Sequence, residues 1–218
     1  MDRTYQLLIF DLDGTLIDSQ KDLSNAVNAS RGHLGLGPIE NKTIHSYVGN
    51  GAPVLIRRAL GPEFPQQDVD RALEFFLAYY RDHMLDYTTL YPGVRETLDR
   101  FLEAGLKMAV LTNKPYRISE AIVEGLGLKP HFHRVYGGNS FAEKKPHRIG
   151  IETLLKELDV PREQAMMIGD SAVDVRTARN AGVTATGVSF GFQPDSFHEH
   201  PPDHLIDHMP ELLQLVLA

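Results

Sequence analysis

Four carboxylates, a hydroxyl, an amide and two lysines stand just past the ends of short apolar runs in this sequence. Asp11 and Asp13 follow Tyr5–Phe10, and Thr112 and Asn113 follow Leu106–Leu111. Lys144 and Lys145 come after Arg134–Tyr136, and Asp170 and Asp174 come after Ala165–Ile168. Together these residue types suit phosphoryl transfer to a carboxylate. Asp11 can attack phosphorus and carry an aspartyl-phosphate, which divides the hydrolysis into two easier steps. A −1 nucleophile about 4 Å from a −2 phosphate costs roughly 8 kcal/mol at an effective dielectric near 20. Mg²⁺ held by Asp11 and Asp170 offsets that repulsion, since hard oxygen ligands suit this ion. Lys145 adds positive charge beside the transferring group. Asp13 can protonate the leaving alcohol and later deprotonate the attacking water. With Asp13 protonated, the charges of Asp11, Asp170 and Asp174 balance those of Mg²⁺ and Lys145.

These residues need a frame that gathers them. The runs Tyr5–Phe10, Leu106–Leu111, Arg134–Tyr136, Ala165–Ile168 and Val183–Val188 show no clean alternation, which suits strands buried on both faces of a parallel sheet. Between them lie amphipathic helices. Val94, Leu98, Phe101 and Leu102 recur at helical spacing before Gly105, and Ile151, Leu154, Leu155 and Leu158 do so before Pro161. Ala178 and Ala181 precede Gly182. His204–Ile206 reads as a last short strand before a helix from Pro210. Strand alternating with helix predicts a doubly wound α/β domain, with ligands at the carboxyl ends of the strands. Residues 18–84 break the rhythm. Leu23, Ala26, Val27, Ser30 and Leu34 mark one helix, with Ser19 and Asp22 placed as its N-terminal cap, and Ala52–Leu60 and Val69–Met84 mark two more. A helical domain over 18–84, inserted into a core of 1–17 and 85–218, follows.

The chain has 218 residues, with 22 Lys and Arg against 29 Asp and Glu, a net charge of −7. That balance argues against a nucleic-acid partner, which needs a basic face. No apolar run approaches the roughly 20 residues that span a bilayer, and the first ten residues lack a signal pattern. The absence of cysteine excludes disulfides, thiolate zinc sites and thiol nucleophiles. A soluble, cytoplasmic protein is expected, either monomer or dimer.

The motifs carry a resemblance. Asp11-Leu-Asp-Gly-Thr-Leu-Ile-Asp18, Thr112-Asn113, Lys145-Pro146 and Gly169-Asp170-Ser-Ala-Val-Asp174 resemble, in order and spacing, the four motifs of the haloacid dehalogenase superfamily of phosphatases. The resemblance implies a Rossmann-like core with a helical cap domain inserted after the first motif. It implies Asp11 as nucleophile, Asp13 as acid/base and as a metal ligand through its backbone carbonyl, and Thr112 at the phosphate. It also implies Lys145 at the transferring group, Asp170 as a metal ligand, and Asp174 in support of the metal site. Dehalogenases and phosphonate hydrolases lack a carboxylate equivalent to Asp13, so a phosphate monoester is the expected substrate. Tyr47-Val-Gly-Asn-Gly-Ala52 and Leu55–Leu60 in the insert, with Gly137-Gly138 and Phe141–Pro146, resemble the phosphoglycolate phosphatases. The implied substrate is thus a small phosphorylated metabolite, 2-phosphoglycolate foremost. A sugar phosphate, nucleotide or pyrophosphate, or a phosphomutase reaction, fits the same core.

Several residues admit two readings. Thr112, with Asn113 beside it, binds phosphate or caps the next helix. Asp174 serves the metal site or is a first-turn acid favoured by the helix dipole. Pro146 biases Lys145 toward extended backbone, which favours it over Lys144. Gly49, Asn50 and Gly51 offer backbone N–H groups to a substrate carboxylate or form a tight turn. Arg57 and Arg58 recognise an anion, or at least one faces solvent. His131, His133, His198, His200, His204 and His208 have metal-ligand spacings, but four lie in a Pro-rich stretch that reads as a solvated loop. Gly187-Val-Ser-Phe-Gly191 matches a nucleophile elbow, yet runs into Gln193-Pro194 where a helix is required. A non-catalytic phosphoacceptor, like the receiver domains of bacterial signalling, gathers similar residues but needs neither Asp13 nor an insert.

Overall fold

The computed structural model describes residues 4–218; residues 1–3 of the expected core lie outside the described residues. In chain order the elements begin with β1 (Leu7–Phe10), β2 (Ile17–Asp18), α1 (Gln20–His33), α2 (Asn41–Tyr47), α3 (Ala52–Leu60), α4 (Gln66–His83) and β3 (Thr89–Leu90). There follow α5 (Val94–Glu103), β4 (Lys107–Leu111), α6 (Tyr116–Gly125), β5 (Arg134–Tyr136) and α7 (Ile149–Leu158). The chain ends with β6 (Ala165–Gly169), α8 (Ala172–Ala181), β7 (Thr184–Val188), β8 (His204–Ile206) and α9 (Glu211–Leu217).

Six strands form one parallel sheet in the order β5-β4-β1-β6-β7-β8. Side chains alternate between the faces of a strand. Leu8 and Phe10 accordingly join one apolar cluster with Met108, Val110, Met166 and Ile168, while Leu7 and Ile9 join another with Ala109, Leu111, Ala165 and Met167. Both faces are covered, which is why these strands read as continuous apolar runs. Phe10 pairs in register with Val110 on one side and Ile168 on the other. The residues that follow β1, β4 and β6 therefore emerge side by side at one edge of the sheet.

The insert is built from α1 to α4, with Leu23, Ile44, Leu55, Ile56 and Phe76 buried among them. The two-stranded antiparallel ribbon of β2 and β3, pairing Ile17 with Leu90 and Asp18 with Thr89, carries the chain into the insert and back. This ribbon and α2 were not expected from sequence. The capping assigned to Ser19 and Asp22 is corrected: neither side chain caps α1. Ser19 Oγ donates to Asp13 Oδ1 at 2.6 Å, and Asp22 Oδ2 accepts from the Tyr87 and Thr88 N–H groups and the Thr88 hydroxyl. These bonds tie the start of α1 to residues outside the insert helices. Among the described residues, no helix is long and apolar enough to cross a membrane.

Candidate active site

Asp11 leaves β1 with its N–H bonded to the Ile168 carbonyl at 2.9 Å, which aims its side chain into the crevice between β4 and β6. Lys145 Nζ lies 2.9 Å from Asp11 Oδ1 and 2.6 Å from Asp174 Oδ1, with all three residues buried. Asp174 is the first-turn acid of one of its two sequence readings. It sits in the first turn of α8, where its Oδ2 accepts from the Ser171 N–H and hydroxyl in a capping box, and its other oxygen holds Lys145. Asp170 Oδ2 accepts the Phe192 N–H at 2.7 Å. Two glycines make room for these carboxylates. A Cβ on Gly14, whose φ is +80°, would stand 2.1 Å from Asp170 Oδ2, and one on Gly169 would stand 2.2 Å from Asp174 Cγ.

The crowding shows in the acidities. Burial, with Asp174 nearby, raises Asp11 from 3.8 to about 6 despite the opposing pull of Lys145. Burial, followed by the charges of Asp174 and Asp11, pushes Asp170 well above the usual carboxylate range. Burial alone would lower Lys145, yet the charges of Asp11 and Asp174 outweigh it and hold the ammonium above its ordinary value.

Oxygens of Asp11, Asp170 and Asp174 all lie within 4.8 Å of one another. Asp11 Oδ1 is buried, with no aligned hydrogen bond among the described residues and with the Lys145 ammonium at 2.9 Å. Three carboxylates against one ammonium leave two negative charges over, and every donor is a hard oxygen. That set fits Mg²⁺.

Asp13 faces a cation that the charge balance above did not count. Its two oxygens each lie 2.9 Å from Lys114 Nζ, and the same ammonium donates to the Tyr80 hydroxyl at 2.8 Å. The Lys114 ammonium thus lies against the Asp13 carboxyl group. Lys114 escaped the sequence reading as a site residue, although it stands directly after Thr112-Asn113. Its partner Tyr80 lies on α4 of the insert, and burial pushes that phenol up to about 12.

Thr112 and Asn113 follow β4 and are buried. Thr112 Oγ1 accepts the Lys114 N–H at 3.3 Å. Asn113 Nδ2 donates to the carbonyls of Gly49 at 2.9 Å and Lys145 at 3.0 Å, tying three loops together and leaving its buried Oδ1 without a partner. A small cavity lies between insert and core. Its polar side is Asp11, Asp13, Thr112, Asn113 and Lys114; its apolar side includes Leu23, Val48, Leu55 and Phe76. Gly49 and Gly51 reach its wall, whereas Asn50 contributes its carbonyl to Lys144 Nζ at 2.7 Å. Lys144 and Lys145 therefore separate: one spans the insert and core at the surface, the other sits in the carboxylate cluster.

Arg57 is corrected as a substrate residue. Its guanidinium is engaged within the insert, on the Phe64 carbonyl and Gln66 Oε1, away from this cavity. No histidine joins the carboxylate cluster among the described residues, and His131 instead bonds Asp99 at 2.7 Å. Ser189 follows β7 and donates to Asp207 Oδ1 at 2.5 Å, with no α-helix directly after it to form an elbow.

The doubly wound parallel sheet gathers these carboxylates at its carboxyl edge, where open α/β folds place their ligands. The family model of haloacid dehalogenase-like hydrolases matches residues 8–188, and the chain belongs to that family. It is 42% identical over 187 residues to a phosphoglycolate phosphatase of Chromobacterium violaceum, covering 84% of each chain. It is 38% identical over 215 residues to one of Colwellia psychrerythraea, covering 95% of each. Among solved structures it superimposes with a TM-score of 0.93, at 29% identity and over 99% of each chain, on a predicted phosphoglycolate phosphatase from Haemophilus somnus 129pt. The chain is a phosphatase, which sets aside the non-catalytic phosphoacceptor.

Proposed function

We propose that this phosphatase hydrolyses 2-phosphoglycolate through an aspartyl-phosphate on Asp11, with Mg²⁺. The observation that carries the reading is the buried cluster in which Asp11 faces Lys145, Asp170 and Asp174 at the floor of a cavity that also holds Asp13. An Asp11 oxygen attacks phosphorus as the bond to the ester oxygen breaks, and Asp13 passes a proton to that departing oxygen. Water then attacks the aspartyl-phosphate, Asp13 takes up its proton, and inorganic phosphate leaves with Asp11 restored. Lys145, oriented by Asp174, stabilises the charge on the transferring group. Thr112 hydrogen-bonds the phosphate, and Asn113 fixes the loops around it. Asp11, Asp170 and the Asp13 carbonyl would hold the Mg²⁺, with Asp174 in support, and the ion when bound supplies charge relief for the incoming dianion.

In this reading 1–17 and 85–218 carry the chemistry and 18–84 the specificity. With the insert seated on the core, the cavity excludes bulk water from the phosphoenzyme. Its apolar side leaves the hydroxyls of a sugar phosphate without partners, which favours a compact substrate over sugar phosphates and nucleotides and over a mutase reaction. The test is phosphate release from 2-phosphoglycolate with Mg²⁺ and with EDTA, together with mass spectrometry of acid-quenched enzyme. A phosphoryl adduct on the Asp11 peptide is expected. Turnover at the wild-type rate by Asp11→Asn would refute the assignment.

A further inference from the structure

The leaving-group side of the cavity holds a cation that the phosphoryl chemistry does not use. Among the described residues lining the cavity, Lys114 carries the positive charge and Asp11 and Asp13 the negative charges. Its ammonium is buried, 2.9 Å from each Asp13 oxygen and 2.8 Å from the Tyr80 hydroxyl. If Asp13 serves the ester oxygen, as in the reading above on which this inference rests, the next atoms of the leaving group fall beside Lys114 and Tyr80. Leu23, Leu55 and Phe76 complete the lining, with the Phe76 ring stacked on Tyr80 at 5.6 Å between centroids.

A neutral polar group in that place is desolvated without compensation, whereas a carboxylate meets charge-assisted donors. Lys114 has three N–H donors, two of them directed to Asp13. Asp13 Oδ1 also holds the Ser19 hydroxyl at 2.6 Å, so one Lys114 contact can pass to an incoming anion without freeing Asp13. We propose that Lys114, positioned by Tyr80, is the specificity-determining residue that selects phosphate monoesters bearing a carboxylate one carbon from the ester oxygen.

The experiment compares kcat/KM for 2-phosphoglycolate and for ethyl phosphate, which matches it in size but lacks the carboxylate. Wild type, Lys114→Met, Lys114→Arg and Tyr80→Phe are each measured with both substrates. The ratio between substrates cancels any general damage to Asp13. Wild type is expected to favour 2-phosphoglycolate by about 100-fold, and Lys114→Met to cut that ratio by on the order of 30-fold, mainly through KM. Lys114→Arg is expected to restore part of it, and Tyr80→Phe to lower it about threefold to tenfold. An unchanged ratio in Lys114→Met overturns the proposal. If that variant does not fold, a wild-type ratio below about threefold, or an undiminished ratio in Tyr80→Phe, overturns it instead. Wild-type inactivity toward both compounds would bring down the substrate reading itself, a result distinct from loss of selectivity.

Discussion

Replacing Asp11 with asparagine should make the metal-free protein more stable at neutral pH while abolishing turnover. The unfolded chain releases the Asp11 proton near 3.8, whereas the folded one keeps it to about 6 because of burial. Between those values the folded state binds more protons, so stability falls as pH rises from about 4 to 6 and stays lowered above it. At about 1.4 kcal/mol per pKa unit the penalty is on the order of 3 kcal/mol. Asparagine removes that penalty but costs Lys145 one partner, although Asp174 remains at 2.6 Å. The net gain should be about 1–2 kcal/mol at pH 7.5. The assay is urea unfolding in EDTA followed by far-ultraviolet circular dichroism, since the chain has no tryptophan. Comparing wild type and Asp11→Asn from pH 4 to 8 should show a difference that opens across that window. A variant equal to or less stable than wild type at pH 7.5, or a difference independent of pH, refutes the reasoning.

Mg²⁺ at about 100 times its Kd should stabilise wild type by about 2.7 kcal/mol, and Asp170→Asn much less; thermal unfolding with and without the ion measures both. Gly14→Ala should lose about 2 kcal/mol or more, because its φ of +80° is strained for alanine and its Cβ meets Asp170 Oδ2 at 2.1 Å. The same variant should bind Mg²⁺ more weakly by calorimetry. Asp13→Ala should slow both half-reactions in single-turnover kinetics while Mg²⁺ affinity holds, and loss of the ion would count against its acid/base role. Arg57→Ala should leave kcat/KM within about twofold of wild type, and cost about 1 kcal/mol of stability through its contacts on Phe64 and Gln66.

What the sequence made legible were features decided by neighbours close along the chain. A strand covered on both faces reads as a continuous apolar run, and Leu7–Phe10, Met108–Leu111 and Ala165–Ile168 show this directly. A four-motif signature then located Asp11, Lys145 and Asp170 in the crevice that such a sheet creates. Partners far away in sequence decided what was missed. The helix α2 buries only Ile44 among its own residues, too little for a periodic signal. The N-terminus of α6 is tied by Asn139, whose Oδ1 accepts the Tyr116 N–H at 2.8 Å from 23 positions further along.

Lys114 shows the same limit at the site. Read locally, a lysine before a proline looks like a solvated loop residue; only the fold brings Asp13 and Tyr80 around it. Burying that ammonium is unfavourable in itself, and its position above the ordinary lysine value depends on the charge of Asp13 and the phenol of Tyr80. One partner comes from the core and the other from α4 of the insert, so the ammonium is fully paired only while the two stay seated together. A cation with that dependence belongs to the junction between the two parts rather than to either alone. No pattern confined to the residues around position 114 encodes it.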